Sequence, residues 1–411
     1  MHSKIDACRI CGNQHLEQVL DLGEQTLTGV FPRQRDQKIT RGPLQLVKCV
    51  GGEGACGLLQ LAHSYDLDEM YGDNYGYRSG LNPSMVRHLH AKLARIQRRV
   101  DLSDRPIVLD IGSNDGTTLA AYLGGSCVRV GMDPTAVKFR QYYPADAVVI
   151  PDFFSAERFS ENFHGRKARV VTSFSMFYDL ERPLDFMREV AGILDERGIW
   201  VFEQSYMPLM LERDSYDTVC HEHLEYYALK QIQWMVARSG LKIIDVEFND
   251  INGGSFSVTA AHAGSAYPEY EGLPALLARE HATGLDTLLP YQGFAARAAA
   301  SRATLREFVG RARAEGHRVA CLGASTKGNV LLQYCGFDTA DIESVGEVNP
   351  DKFGCYTPGT LLPIVPESEL LKEQPDYLIV LPWHFREFFL EKYRLDKAKL
   401  VFPLPRLEVV G

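Results

Sequence analysis

The segment DSYDTVCHEHLEYYAL gathers Asp214, Asp217, Cys220, His221, Glu222, His223, Glu225, Tyr226 and Tyr227 within fourteen residues. A neutral histidine beside a carboxylate can take a proton from a carbon next to a ketone, because the carboxylate fixes the ring tautomer and stabilises the imidazolium that forms. His223 with Glu222 is the candidate pair, and nearby tyrosine hydroxyls are candidates to hold a developing enolate oxygen. The same residues admit two other readings. HEH could belong to a metal site, although it lacks the HExxH spacing that puts two histidines on one helix face, or the histidines could be satisfied structural residues.

A second constellation is IVLDIGSNDGTTLAAYL, an apolar run, a glycine turn and a helical pattern. Gly112 and Gly116 let the backbone approach a ligand closely. The spacing is not GxGxxG, and Asp110 at the end of the run repels a pyrophosphate; a ligand with cationic and hydroxyl-rich parts suits it better. S-adenosylmethionine carries a sulfonium, an ammonium and a ribose diol, and no phosphate. Asp110, Gly112, Asn114, Asp115 and Gly116 are therefore candidate cofactor residues. Asp133, in GMDPT one strand further on, is placed to accept from the ribose hydroxyls, and ligands of open parallel sheets bind beyond such strand ends. Asp152 and Phe153 follow at the next strand end as candidates to flank the adenine, and Ser173 within VVTSFSM is a further cofactor candidate. The alternative is a helix cap and a turn, with Asp133 on the surface.

Cys8 and Cys11 form CxxC before Gly12, and Cys49 and Cys56 form a second pair after PLQLVKC. Four thiolates suit a tetrahedral structural zinc closing a small domain with little core of its own. The intervening CVGGEGAC is wider than usual, and unrelated thiols with a chance CxxC are the competing reading. A redox CxxC belongs at a helix start in a thioredoxin-like unit, and none is visible.

VACLGASTKGNVLLQY repeats the order of strand, glycine turn and helix. Ser325, Thr326, Lys327 and Asn329 offer donors at a helix N-terminus, a natural place for the phosphates of a nucleotide diphosphate, although a plain α/β turn reads the same way. His384, after Trp383 at the end of YLIVLPW, is a further candidate for that cleft; Trp383 reads as a structural aromatic.

The elements that must position these groups come in three regions. A chain of 411 residues is long for one core, and the character of the sequence changes near residues 83 and 266. Residues 1–83 hold the cysteines, short strand-like runs and the loop MYGDNYGYRSGLN, and read as mostly irregular. From Ser84 to Val100, Met85, Leu89, Leu93, Ile96 and Val100 recur at helical spacing. In residues 84–265, IVLDIG, VRVGMD, AVVIPD, VVTSFSM and GIWVFEQ alternate with helical patterns such as LDFMREVAGIL, the signature of a parallel sheet covered by helices. Residues 266–411 begin with long Ala-rich helices ending at Gly316. RVACLGAS, IESVGEVN and DYLIVLPW then predict a second, smaller α/β layer.

With 45% hydrophobic residues, 24% charged residues and a net charge of -9, the chain is an ordinary globular protein without the basic face that nucleic acid requires. Its nine cysteines are an odd number, which favours reduced thiols over a disulfide framework. MHSKIDACRICG lacks the apolar segment of a signal peptide, and no apolar stretch has the length to cross a bilayer, so the expectation is a cytoplasmic protein with no membrane partner.

Taken together, CRICG, KCVGGEGACGLLQL, LDIGSNDGTTL, CHEHLEYY and GASTKGN resemble, in order and over essentially the whole chain, the three-domain sugar C-methyltransferases acting on nucleotide-linked 4-keto-6-deoxyhexoses. The resemblance implies an α/β fold: a class I, Rossmann-like methyltransferase core, a small N-terminal zinc-binding domain and a C-terminal Rossmann-like domain that binds the nucleotide sugar. It also implies C-methylation without catalytic metal, with His223 removing the sugar proton, Glu222 supporting it, and the enolate taking the methyl group of S-adenosylmethionine. The zinc is structural, and its domain supplies a tyrosine, here Tyr77 or Tyr75. The substrate partner is a nucleotide-linked keto-deoxysugar, and the assembly a monomer or homodimer. Three departures stand out: the wide second cysteine spacing, Cys220 where some members carry a tyrosine, and Tyr178 and Asp179 in FYDL where some carry a histidine after the fourth core strand. Tyr178 is a candidate enolate partner. The alternatives are an O- or N-methyltransferase of another small molecule, or a non-catalytic module that binds zinc and nucleotide.

Overall fold

The computed structural model describes residues 2–52, 54–71, 77–393 and 398–411. The apolar runs of the middle region form one seven-stranded sheet. Its order is Val148–Ile150, Val128–Met132, Ile107–Ile111, Ala168–Phe174, Leu194–Ser205, Ser255–His262, Leu241–Asn249. The first five strands run parallel, and Ser255–His262 is antiparallel to both of its neighbours. Ile107–Ile111 is buried at all five positions, as expected of a strand covered on both faces. The chain leaves this strand toward one edge and returns on its other side at Ala168–Phe174. That reversal opens a crevice beyond the strand ends, where Asp110 and Gly112 sit.

The helix foreseen over 84–100 spans Pro83–Arg99, buries Met85, Leu89, Leu93 and Ile96, and starts at Asn82, whose side chain accepts from the Ser84 N–H at 2.9 Å. The C-terminal sheet is fuller than a minor layer. It has six strands in the order Ile364–Pro366, Val345–Glu347, Val319–Leu322, Tyr377–Val380, Lys399–Phe402, Glu408–Val410, parallel except the last. It too reverses direction beside its first strand, between Val319–Leu322 and Tyr377–Val380, which brings the GASTKGN turn and Trp383–His384 to one end. Past residue 265, helix Leu273–Ala282 still packs on Leu229–Val236 of the middle unit, and only then does the long helix Leu289–Ala314 cross to the C-terminal unit.

The N-terminal region is less irregular than its sequence suggests. Leu16–Thr26 and Arg41–Cys49 form a long antiparallel pair, and Leu59–Leu61 adds a third strand. Register shifts between Gln18 and Leu20 and between Asp21 and Glu24 break the two-residue alternation, which is why LEQVLDLGEQT does not announce a strand. The fourth strand comes from far away: Glu225 and Tyr226, the end of the histidine segment, pair with Gln60 and Leu59.

The small N-terminal unit shares both main cores. Leu20, Leu22, Leu44 and Leu46 join Met207, Tyr216, Leu224 and the C-terminal sheet, while Cys8, Ile10, Cys49 and Leu58 join the core of the middle unit. Among the described residues no helix is long and apolar enough to cross a membrane. At the centre of the middle core, fully buried Trp200 stacks on Phe202 at 4.0 Å and donates its indole N–H to Ser173 Oγ at 2.9 Å. Trp200→Ala should cost about 3–5 kcal/mol, read as a lower urea midpoint, because the cavity cannot collapse between two strands.

Candidate active site

The four cysteines converge. Their sulfurs all lie within 4.8 Å of one another, with Cys8 and Cys56 at 3.5 Å and Cys11 and Cys49 at 3.6 Å. Tetrahedral zinc with Zn–S bonds of about 2.3 Å sets sulfurs about 3.8 Å apart, so this cage fits the metal. Gly12, at φ 72°, closes the first turn by donating to the Cys8 carbonyl at 2.9 Å. Asn13 Nδ2 donates to Cys49 Sγ at 3.3 Å, the kind of outer contact that orients a thiolate ligand. The wide second spacing is absorbed by a loop with Gly51, Gly52 and Gly54 at positive φ, closed where the Cys49 N–H meets the Leu58 carbonyl at 2.8 Å.

At the crevice of the middle sheet, Asp110 is buried and accepts from Thr172 Oγ1 at 2.5 Å. Burial pushes its carboxyl up to about 7 despite that hydrogen bond, since no cation balances it. Gly112 has φ 69°, and a Cβ there would come within 3.0 Å of Met176. Asp133 receives the Asn114 N–H at 2.8 Å on one oxygen and the Thr135 N–H and hydroxyl at 2.7 and 2.5 Å on the other, which pins the glycine loop to the neighbouring strand end. A bare backbone turn, a buried acid without a counterion and a second acid one strand away suit a cationic, phosphate-free ligand, so these residues fit S-adenosylmethionine.

Other residues expected here have different partners. Asn114 and Asp115 grip the loop that follows the zinc domain: their carboxyl and amide oxygens accept the Ser79 N–H and Gly80 N–H at 2.9 Å each, Asn114 Nδ2 donates to the Tyr77 carbonyl at 3.1 Å, and Arg78 lies 3.6 Å from Asp115. Ser173 is a correction, since its fully buried hydroxyl serves Trp200 and faces no cleft. Asp152 pairs with Arg158, and Phe153 is 43% exposed at the rim.

The histidine segment places its three central side chains differently. His221 is fully buried, edge-on to Tyr65 at 4.6 Å, with Nδ1 3.4 Å from Thr28 Oγ1; it is structural. Glu222 turns toward the N-terminal unit, 3.5 Å from Thr28 Oγ1, and packs so closely on Gly29 that a Cβ there would lie 2.0 Å from Oε1. The ring of His223 is oriented by the Thr218 carbonyl, 2.9 Å from Nδ1, and not by Glu222 as the pairing in sequence suggested. A carbonyl only accepts, so Nδ1 carries the proton and Nε2 the lone pair. Burial, and after it the Lys327 charge, lowers His223 to about 3, so the ring is neutral at physiological pH. Tyr178 packs edge-on to it at 4.3 Å, and the Cys220 thiol is fully buried beside Glu222.

The glycine turn of the C-terminal unit reaches the same place. Ser325 caps its helix, accepting from the Gly328 N–H at 3.0 Å, so its hydroxyl is already engaged. Asn329 Nδ2 donates to the Thr28 carbonyl at 2.8 Å, and Thr326 Oγ1 lies near Gly29. Lys327 Nζ donates to the Asn252 carbonyl at 2.8 Å and its charge acts on Asp217, His223 and His384. Asp217, buried, accepts the Trp383 indole N–H at 2.8 Å, and the Nδ1 of His384 is buried without a partner among the described residues. The three units thus meet around Thr28, Glu222, His223 and Lys327.

Of the two tyrosines expected from the first region, Tyr77 is 48% exposed and meets the glycine loop through its backbone, and Tyr75 lies outside the described residues. A zinc-domain tyrosine that does hydrogen-bond to the middle unit is Tyr71, whose hydroxyl donates to Asp179 at 2.9 Å. Neither Tyr71 nor Thr28 and Gly29 stood out in sequence, because nothing but the fold brings LDEMY and LTG to this junction.

Asp110 yields a pH test. In the free protein it is about half protonated near pH 7, and a cation bound beside it must expel that proton. Affinity for S-adenosylmethionine measured by calorimetry should rise about tenfold from pH 6 to pH 8, and Asp110→Asn should flatten the profile. A flat wild-type profile would place the cation elsewhere.

Residues 8–71 match the family model of a zinc binding domain, residues 85–246 that of a methyltransferase domain, and residues 250–405 that of the C-methyltransferase C-terminal domain. The C-methyltransferase NovU of Streptomyces niveus is 29% identical over 414 residues, covering 99% of this chain and 97% of NovU. Among solved structures, magnesium protoporphyrin IX methyltransferase of Synechocystis PCC 6803 matches at 12% identity and TM-score 0.32, over 44% of this chain and 79% of its own. The CcbJ methyltransferase of Streptomyces caelestis matches at 12% and 0.33, over 43% and 90%. The three models follow one another within residues 8–405, and with the full-length similarity to NovU they make the chain an S-adenosylmethionine-dependent methyltransferase that carries a zinc-binding domain and a C-methyltransferase C-terminal domain.

Proposed function

We propose that the protein methylates a carbon beside the ketone of a nucleotide-linked 4-keto-deoxysugar, with His223 as the base. The observation that carries this is the His223 ring, which is held neutral with Nδ1 committed to the Thr218 carbonyl and Nε2 left to accept a proton. It borders a small cavity with Tyr178, Ser205, Met207, Met210, Thr218 and Tyr226. That is the equipment for enolising a carbonyl compound, and a C-methyltransferase needs a carbon nucleophile. Support for a nucleotide sugar comes from the glycine turn of the C-terminal sheet at its own crevice, from the sequence resemblance, and from NovU being a C-methyltransferase.

In this reading the proton beside the ketone passes to Nε2 of His223 and the electron pair moves onto the carbonyl oxygen. The enolate carbon then takes the methyl group, with the new C–C bond forming as the S–CH3 bond breaks, and the ketone is restored. Thr218 keeps the ring aligned throughout.

Incubation with methyl-labelled S-adenosylmethionine and a panel of nucleotide-linked 4-keto-6-deoxyhexoses should place label on carbon. Label on oxygen or nitrogen alone would overturn the reaction class. His223→Ala should abolish exchange of the substrate's acidic proton with solvent, and undiminished exchange would remove His223 as the base. Because the folded protein lowers His223 far below its ordinary 6.5, protonation should not slow exchange between pH 7 and pH 5. A falling limb centred near 6.5 that His223 variants displace would contradict this placement.

A further inference from the structure

Asp179 is a half-buried acid for which the mechanism above has no task. It closes the short helical turn Phe177–Asp179 after strand Ala168–Phe174. Its neighbour Tyr178 carries the ring that packs on His223, and the Tyr178 carbonyl accepts the Leu224 N–H at 2.7 Å, so the turn is tied directly to the histidine segment. One carboxyl oxygen, Oδ2, accepts from the Tyr71 hydroxyl at 2.9 Å. The other, Oδ1, is buried and has no hydrogen-bond partner among the described residues.

The groups coupled to this carboxyl by charge or hydrogen bond are Tyr71 from the zinc domain and Cys220, Glu222, Glu225 and Tyr226 from the histidine segment. All are acids. The cation of this neighbourhood, Arg9, is shared between Glu181 at 3.4 Å and Glu225 at 3.8 Å. Burial above all, and with it the Glu222 charge, opposes ionisation, and the carboxyl is raised well above its ordinary range despite the Tyr71 hydrogen bond. Oδ2 accepts from Tyr71, so a proton on this carboxyl would sit on the unpaired Oδ1 and give it an O–H to donate. A buried O–H without an acceptor is costly, and a ligand oxygen would remove that cost. Cys220, the other small polar group of the segment, offers only a weak S–H donor.

We propose that the carboxylic acid of Asp179, positioned by Tyr71, donates a hydrogen bond to the substrate carbonyl oxygen and holds the enolate oxygen while His223 takes the neighbouring proton. The assignment rests on the function proposed above and adds the oxyanion partner that it lacks. Asp179 keeps its proton throughout: charge builds on the oxygen as the C–H proton moves to Nε2, and disperses when the C–C bond forms and the thioether leaves. A carboxyl kept neutral by its surroundings is a strong donor to such an oxygen, where an ionised one would repel it. Tyr71 is a positioning residue, since its hydroxyl fixes which oxygen of Asp179 donates.

The test is solvent deuterium exchange into the panel ketosugar that the wild type turns over, with methylation followed in parallel. Asp179→Ala should slow both about a hundredfold or more, mainly in kcat. Asp179→Asn, whose amide can both donate and accept, should keep roughly a tenth of the rate. The wild type should lose rate at alkaline pH as Asp179 ionises, and Asp179→Asn should lack that limb. Tyr71→Phe removes a donor that favours the anion, so it should move the limb to higher pH. Exchange at the wild-type rate in Asp179→Ala, an Asp179→Asn variant as slow as Asp179→Ala, or an alkaline limb unchanged in Asp179→Asn would each overturn the assignment. If Asp179→Ala does not fold, the limb in Asp179→Asn decides. A wild type that exchanges no proton on any panel member sinks the proposed function and this assignment with it, whereas normal wild-type exchange with an indifferent Asp179 sinks this assignment alone.

Discussion

A unit of some seventy residues buries too small a share of its surface to be more than marginally stable alone, and this constraint shapes the whole molecule. The N-terminal unit clasps one end with four cysteines and gives the rest of its apolar faces to its neighbours, so that Leu44 and Leu46 lie in one shared core and Ile10 and Leu58 in another. The polar junction follows from this packing. Thr28 presents its carbonyl to Asn329 of the C-terminal unit and its hydroxyl to Glu222 and His221 of the middle unit, and Gly29 leaves room for the Glu222 carboxyl. The candidate site is where three partial cores touch, and none of the units could form it separately.

The electrostatics of the site are set by which charges were left without partners. The carboxyls of Asp110, Asp179, Glu222 and Glu225 are all raised by desolvation, and among the described residues only Glu225 of these four has an ion pair, the 3.8 Å contact with Arg9. The opposite arrangement lies a short way off, where Glu203 is met by His88 at 2.6 Å and Lys92 at 3.2 Å; burial alone would raise that carboxyl, but the two partners more than offset it and it stays ionised. The fold can supply cations to buried carboxylates, and at the junction it supplies almost none. Lys327 is the exception, and its own charge is destabilised by burial, tempered by Asp217.

Much of this organisation was legible in the residues. Strands such as IVLDIG and YLIVLPW are continuous apolar runs ended by glycine or proline, and their alternation with helical patterns announces a parallel sheet without any tertiary information. The cysteine cage was legible because metal ligation demands specific residue types. Partners were harder to read. Glu222 sits beside His223 in the chain, yet the ring donates its Nδ1–H to the Thr218 carbonyl five residues back, because the backbone between Cys220 and His223 turns on itself. Asn114, Asp115 and Ser173 have the chemistry of ligand-binding residues but serve the loop after the zinc domain and a buried indole. Tyr71 was invisible for the converse reason: its importance depends wholly on Asp179, more than a hundred residues away.

The strand Glu225–Tyr226, which completes the N-terminal sheet by pairing with Leu59 and Gln60, has a consequence for the newborn chain. The cysteines leave the ribosome before this strand and can gather their metal at once, but the sheet they anchor keeps an open edge until residues 225 and 226 have followed. At the usual pace of translation that edge stays unpaired for roughly ten to thirty seconds. Gln60, buried in the finished sheet, spends that interval as a polar interruption in an edge strand that would otherwise invite a wrong neighbour.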